Sequence, residues 1–157
     1  MYVLQKKQKT VFVPKSTRLV VAVITPSTPH NEIVRFTQIV REVIELINRD
    51  FAEPKWDITV LSQVSGERSP SLNYSSIYNA DIIIAECSEK KPNVFYMIGL
   101  AHAFGRPVCS CYKVKPGQNA DIPFNVHGRQ SLTYSLTTTG LQKEFKNNLK
   151  EWIKKYE

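Results

Sequence analysis

Two polar turns hold most of the side chains that could do chemistry. The first is Thr25-Pro26-Ser27-Thr28-Pro29-His30, rich in hydroxyls and without glycine. The second is Glu86-Cys87-Ser88-Glu89-Lys90-Lys91-Pro92, which runs into Asn93. Glu86 offers an acid and Ser88 one hydrogen bond to a ligand oxygen. Asn93 reads first as a helix cap, although a cap beside a pocket can also touch a ligand. Each has a plainer reading: Glu86 as a solvated turn carboxylate, Ser88 as a turn former, and Thr25–His30 as a connection capped by Asn31. Neither turn is a Walker loop or a dinucleotide fingerprint. Metal binding is not expected, because there is no Cys-x-x-Cys pair and His30, His102 and His127 are scattered. No cofactor is called for.

Each turn follows an apolar run and precedes a helix pattern. Arg18–Thr25 carries an unbroken apolar stretch, Leu19 to Ile24, and is the best candidate for the central strand. Ile82, Ile83 and Ile84 are consecutive and β-branched, as in a strand covered on both faces. In open parallel sheets, ligands bind at the carboxyl ends of strands beside helix N-termini. The two turns therefore predict a pocket between them.

The remaining pattern alternates. Helices are predicted over 31–49, over 71–79, and from Asn93 to a stop at Gly105 before Pro107. Strands are predicted over 56–64, 108–114 and 131–135. Thr137, Thr138 or Thr139 caps a closing helix whose stripe of Leu141, Phe145, Leu149, Trp152, Ile153 and Tyr156 covers the sheet. Tyr96 is read as packed against the sheet and His102 as a satisfied interior histidine. The expected fold is α/β, a flavodoxin-like three-layer sandwich with a mostly parallel sheet of about five strands. Residues 1–17 read as a basic arm and 18–157 as one domain.

Asp81–Ala85, Pro92-Asn93-Val94-Phe95-Tyr96, Gly99, Ala101-His102-Ala103 and Gly105 resemble the nucleoside 2-deoxyribosyltransferase-like family, which is related in architecture to TIR-type domains. The strong match spans residues 81–107, with weaker support from the first strand, the Pro123-Phe124 loop and the closing helix. The resemblance implies that the loop after the first strand, with Thr25 and Ser27, lines a nucleoside pocket. It also implies that Glu86 stands where the family has an aspartate that positions the sugar or exchanges a proton. The family's catalytic glutamate falls on Met97, whose thioether carries no charge to attack an anomeric carbon. Asn125 replaces another acid. The implied ligand-binding set is Thr25, Ser27, Glu86, Ser88, Asn93 and Met97, with Glu86 the candidate catalytic group. The expected function is nucleoside or nucleotide binding with N-glycosidic-bond chemistry lost or weakened. The alternatives are an N-glycosidase or deoxyribosyltransferase on nucleosides, nucleotides or NAD that uses another carboxylate such as Glu86, and a non-catalytic oligomerisation or interaction module. On this reading Met97→Glu would restore or raise base release, given an intact pocket around it. The family's habit of completing pockets across subunits implies a homo-oligomer.

Composition bounds these readings. The chain has 157 residues, 42% of them hydrophobic, enough for a substantial core. No apolar run approaches the roughly 18 residues of a membrane span, and residues 1–17 do not read as a secretory signal. Three cysteines and no evident disulfide pattern suit a reducing cytoplasm. The net charge of +7 gathers at both ends of the sequence. It could attract nucleic acid, but aromatics are not interleaved as stacking platforms need, so a solvated basic face is the favoured reading.

Overall fold

In the computed structural model, residues 18–26, 31–50, 55–62, 70–115, 117–123 and 130–156 are described. The first apolar run forms β1 (Arg18–Thr25), followed by α1 (Asn31–Asp50) and β2 (Lys55–Ser62). Then come α2 (Pro70–Asn79), β3 (Ile82–Glu86), α3 (Pro92–Ala103), β4 (Val108–Lys113), β5 (Ser131–Tyr134) and α4 (Thr139–Ile153). A short 3-10 turn, Lys154–Tyr156, follows α4.

All four strand pairings are parallel, in the order β2-β1-β3-β4-β5. This is the flavodoxin-like order, with the strand sequence reversing between β1 and β3. The middle strand is therefore β3 rather than β1. All five β3 side chains are buried, which explains the run of isoleucines without alternation.

The sheet divides the core in two. Val21, Val23, Ile82, Ile84, Cys109 and Cys111 face α1 and α4, meeting Phe36, Val40, Phe145 and Leu149. Ala22, Ile24, Ile83 and Ala85 face α2 and α3, meeting Ile77, Val94, Met97 and Ala101. Most of the closing-helix stripe is core, with Phe145, Leu149, Trp152 and Ile153 buried and Leu141 half-buried; Tyr156 falls in the 3-10 turn after α4 and is exposed.

Two local expectations are corrected on α3. Lys91, not Asn93, is the cap residue; Pro92 opens the helix because its fixed φ and missing N–H suit the first helical position. Tyr96 is 72% exposed instead of packed against the sheet, since it lies opposite the buried stripe of Val94, Met97, Ile98 and Ala101. His102 is half-buried. The predicted stop is confirmed in detail. Gly105 takes φ +69°, its N–H donates to the His102 carbonyl, and Arg106 N–H donates to the Ala101 carbonyl, a Schellman closure.

Candidate functional site

β1 and β3 run parallel and in register, with Ile24 beside Ala85, so Thr25 and Glu86 end at the same edge of the sheet. That edge is where the strand order reverses and where such sheets open a crevice. Strand alternation turns Thr25 and Glu86 toward the α1/α4 side, with Val21, Val23, Ile82 and Ile84.

Glu86 is not the solvated turn carboxylate that its sequence context allows. It is 1% exposed. Its Oε1 accepts three hydrogen bonds: from Ser88 N–H at 3.1 Å, from the Ser88 hydroxyl, and from the Tyr134 hydroxyl at 2.9 Å. Its Oε2 is buried and has no partner among the described residues. Burial pushes the carboxyl above its ordinary range, against the bonds from Ser88 and Tyr134, which pull it down. Removal from water penalises the charged form, and three donors on one oxygen only partly offset that.

The surrounding chain holds this carboxylate in place. Ser88 Oγ donates to Glu86 and accepts the Lys113 N–H at 2.7 Å, tying the turn to the end of β4. Cys87 N–H continues the ladder to the Cys111 carbonyl at 2.9 Å. Lys90 N–H closes a turn onto the Cys87 carbonyl at 3.1 Å. Lys90 itself sits at φ 52°, a left-handed conformation that costs a side-chain-bearing residue about 1–2 kcal/mol. Tyr134 is fixed by ring contacts with Phe36 at 4.9 Å and Phe145 at 5.4 Å between centroids. Burial, with Glu86 beside it, raises its phenol pKa, so it stays a donor.

The rim is charged. Lys113 pairs with Glu32 in the first turn of α1, Lys90 with Asp121, and Lys91 with Glu89 at 3.5 Å. Cys87 faces the other side of the sheet; burial and then the neighbouring Glu86 push its thiol up to about 12, which leaves it no nucleophile. Among the described residues, no group of three or more His, Cys, Asp or Glu is placed to hold a metal ion. No helix there is long and apolar enough to cross a membrane.

Of the residues singled out from the sequence, the structure brings together Thr25, Glu86 and Ser88. The Thr25 hydroxyl is buried and, like Glu86 Oε2, has no partner among the described residues. Asn93 lies in the first turn of α3 with its side-chain amide nitrogen buried and without a partner among the described residues. Met97 belongs to the α2/α3 cluster, on the far side of the sheet from the face that Glu86 joins, and is 2% exposed. Ser27 and Asn125 lie outside the described residues. Tyr134 had been read only as part of a short last strand. A hydroxyl that reaches a carboxylate 48 positions earlier leaves no local signal.

No family model matches the chain, and no curated protein matches it. Among solved structures, the fold is similar to that of a CMP N-glycosidase, BcmB, from Clostridium botulinum. The TM-score is 0.52 at 16% identity, covering 81% of this chain and 97% of the other. The chain therefore shares its fold with a nucleotide N-glycosidase over nearly the whole of that protein.

Proposed function

We propose that the chain binds a nucleoside or nucleotide at the β1/β3 edge, with Glu86 as the group that meets the sugar or base. The observation that carries this reading is the Glu86 carboxyl. One of its oxygens is saturated by three protein donors, while the other is buried and without a partner among the described residues, at the strand-order reversal. An unpaired buried acceptor is costly, and a ligand hydroxyl or amide N–H on Oε2 would relieve that cost. The shared fold with a CMP N-glycosidase supports a nucleotide, and a cytidine nucleotide is the first to try. The resemblance to the deoxyribosyltransferase-like family points the same way.

In this reading N-glycosidic chemistry is weak, because Met97 supplies no nucleophile. The raised pKa of Glu86 favours a second reading. An acid that keeps its proton nearer neutral pH can protonate a leaving base, and general acid help of that kind contributes about 10²–10⁴-fold. Calorimetric titration with CMP, the other nucleoside monophosphates, free nucleosides and NAD tests binding. Chromatography of released base tests turnover. Binding without base release, weakened at least tenfold by Glu86→Gln, is the expected result. Base release abolished by Glu86→Gln would establish the second reading. No binding by any of these compounds would leave the interaction module as the better account. Met97→Glu is a less direct test, because burying a carboxylate in the α2/α3 cluster carries a desolvation cost to stability as well as supplying a possible nucleophile.

A further inference from the structure

One ion pair crosses the sheet edge where Glu86 ends β3. Cys109 and Cys111 face the α1/α4 side of β4, and alternation puts Lys113 on the same side. Cys111 lies beside Glu86 in register, so Lys113 begins about 7 Å further along the neighbouring strand. Its ammonium pairs with the carboxylate of Glu32, 81 positions earlier in the first turn of α1. Since β3 lies between β1 and β4, this pair spans the end of β3. Its two partners are held differently. Lys113 is anchored through its own N–H on Ser88 Oγ, the hydroxyl that also bonds Glu86, and its side chain is 28% exposed. The Glu32 side chain is 57% exposed and makes no other hydrogen bond among the described residues.

We propose that Glu32 holds the place of a ligand anion, and that Lys113 exchanges it for the 5′-phosphate of a nucleotide whose sugar or base meets Glu86. This rests on the nucleotide reading above and assigns the part of the ligand that reading leaves open. The place suits an anion. The first-turn N–H groups of a helix have no intrahelical partner, and its dipole favours negative charge there, which is also why an acid at Glu32 is stable. A helix start alone is no site. Here two buried groups stand at the same edge of the sheet, Glu86 Oε2 and the Thr25 hydroxyl, neither with a partner among the described residues. They offer hydrogen bonds to the sugar and base, and Lys113 offers a point charge to the phosphate.

Charge decides which anion wins. A phosphate monoester near neutral pH carries about −1.5 to −2, against the single charge of Glu32, so at the same distance its attraction to Lys113 is greater. The carboxylate gives way readily, because an exposed ion pair contributes little. A bare nucleoside has nothing to offer Lys113 and leaves the pair closed. Glu32 thus acts as an internal competitor that sets how strongly the site prefers a phosphorylated ligand.

Calorimetric titration of the full chain with each nucleoside and its 5′-monophosphate, cytidine and CMP first, tests the exchange. The unaltered chain should bind the monophosphate about tenfold more tightly than its nucleoside, or better, as a hydrogen bond to a charged group provides. Lys113→Gln should lose that preference and bind the nucleoside as before. Glu32→Gln removes the competitor and should tighten the monophosphate by about two- to fivefold, with the nucleoside unchanged. A damaged fold does not raise affinity, so this gain separates exchange from instability. Lys146→Gln removes a cation from the seam between α1 and α4 and should alter neither ligand. The proposal is overturned if nucleoside and monophosphate bind alike, if Glu32→Gln fails to tighten the monophosphate, or if Lys146→Gln weakens it as much as Lys113→Gln does. Nucleoside binding without a phosphate preference removes the exchange and leaves the Glu86 reading standing. No binding of either ligand removes both.

Discussion

Tyr134 and Glu86 form the pair on which the candidate site depends. The Tyr134 hydroxyl is one of three donors on a carboxyl oxygen that burial would otherwise leave exposed to the full desolvation penalty. Because burial outweighs these bonds, the folded-state pKa of Glu86 lies above its ordinary 4.5. The folded chain then holds a proton that the unfolded chain releases. The stability from that proton is complete below about pH 4.5 and is lost as pH rises through the folded pKa. Tyr134→Phe removes a bond that favours the ionised form, so it raises this pKa further and deepens the loss at high pH. The expected cost is about 0.5–1.5 kcal/mol at pH 4, where the acceptor is neutral, and rises to about 1.5–3 kcal/mol once the pH passes the raised pKa and the acceptor is charged; pH 9 is the second condition to measure. Urea melts of both proteins at the two pH values measure this. Equal costs at both would mean that Glu86 does not ionise in the folded chain over that range.

Individual elements differ in how far the local sequence determines them. β3 and the end of α3 were legible because their determinants are local: three β-branched residues in a row, then a glycine and a proline closing the helix. The start of α3 was misjudged by two residues. Asn93 has the chemistry of a cap, but Pro92 has the stronger backbone constraint and takes the first helical position. Which side of α3 faces inward could not be read from periodicity, since apolar side chains lie on both faces, and Tyr96 was assigned to the wrong one. Thr25, Glu86 and Ser88 could be grouped from the rule that parallel strands end at one edge. Tyr134, and the buried state of Glu86 that it helps maintain, depend on pairing between distant strands. Glycine shows how local conformation decides an element's stability. Gly105 takes φ +69° in the α3 closure, so Gly105→Ala should cost about 1–2 kcal/mol. Gly140 lies in the first turn of α4 with open space where a Cβ would go, so Gly140→Ala should gain up to about 1 kcal/mol. Chemical denaturation of the two variants should therefore shift in opposite directions. A neutral Gly105→Ala would mean the Schellman closure does not hold the helix end.

For the molecule as a whole, the net charge of +7 acts on any ligand that carries charge. Ion pairs such as Lys146–Glu42 at 2.6 Å and Lys113–Glu32 join α1 to α4 and to β4. They neutralise cations locally and leave the excess, which draws an anion from a distance wherever it finally binds. Salt separates that general attraction from a seated phosphate. The Debye length falls from about 30 Å at 0.01 M to about 8 Å at 0.15 M, so attraction to exposed charges further off is largely screened over that range. A nucleoside monophosphate should therefore bind less tightly as sodium chloride is raised between these limits, while its uncharged nucleoside binds equally at both. Partly buried pairs are screened much less, and the Lys113 side chain is 28% exposed. The preference for the monophosphate should then level off with salt instead of vanishing. Calorimetry at a series of salt concentrations gives the result directly. A preference that disappears by 0.15 M would count against a phosphate seated on Lys113 and in favour of attraction to the basic surface as a whole.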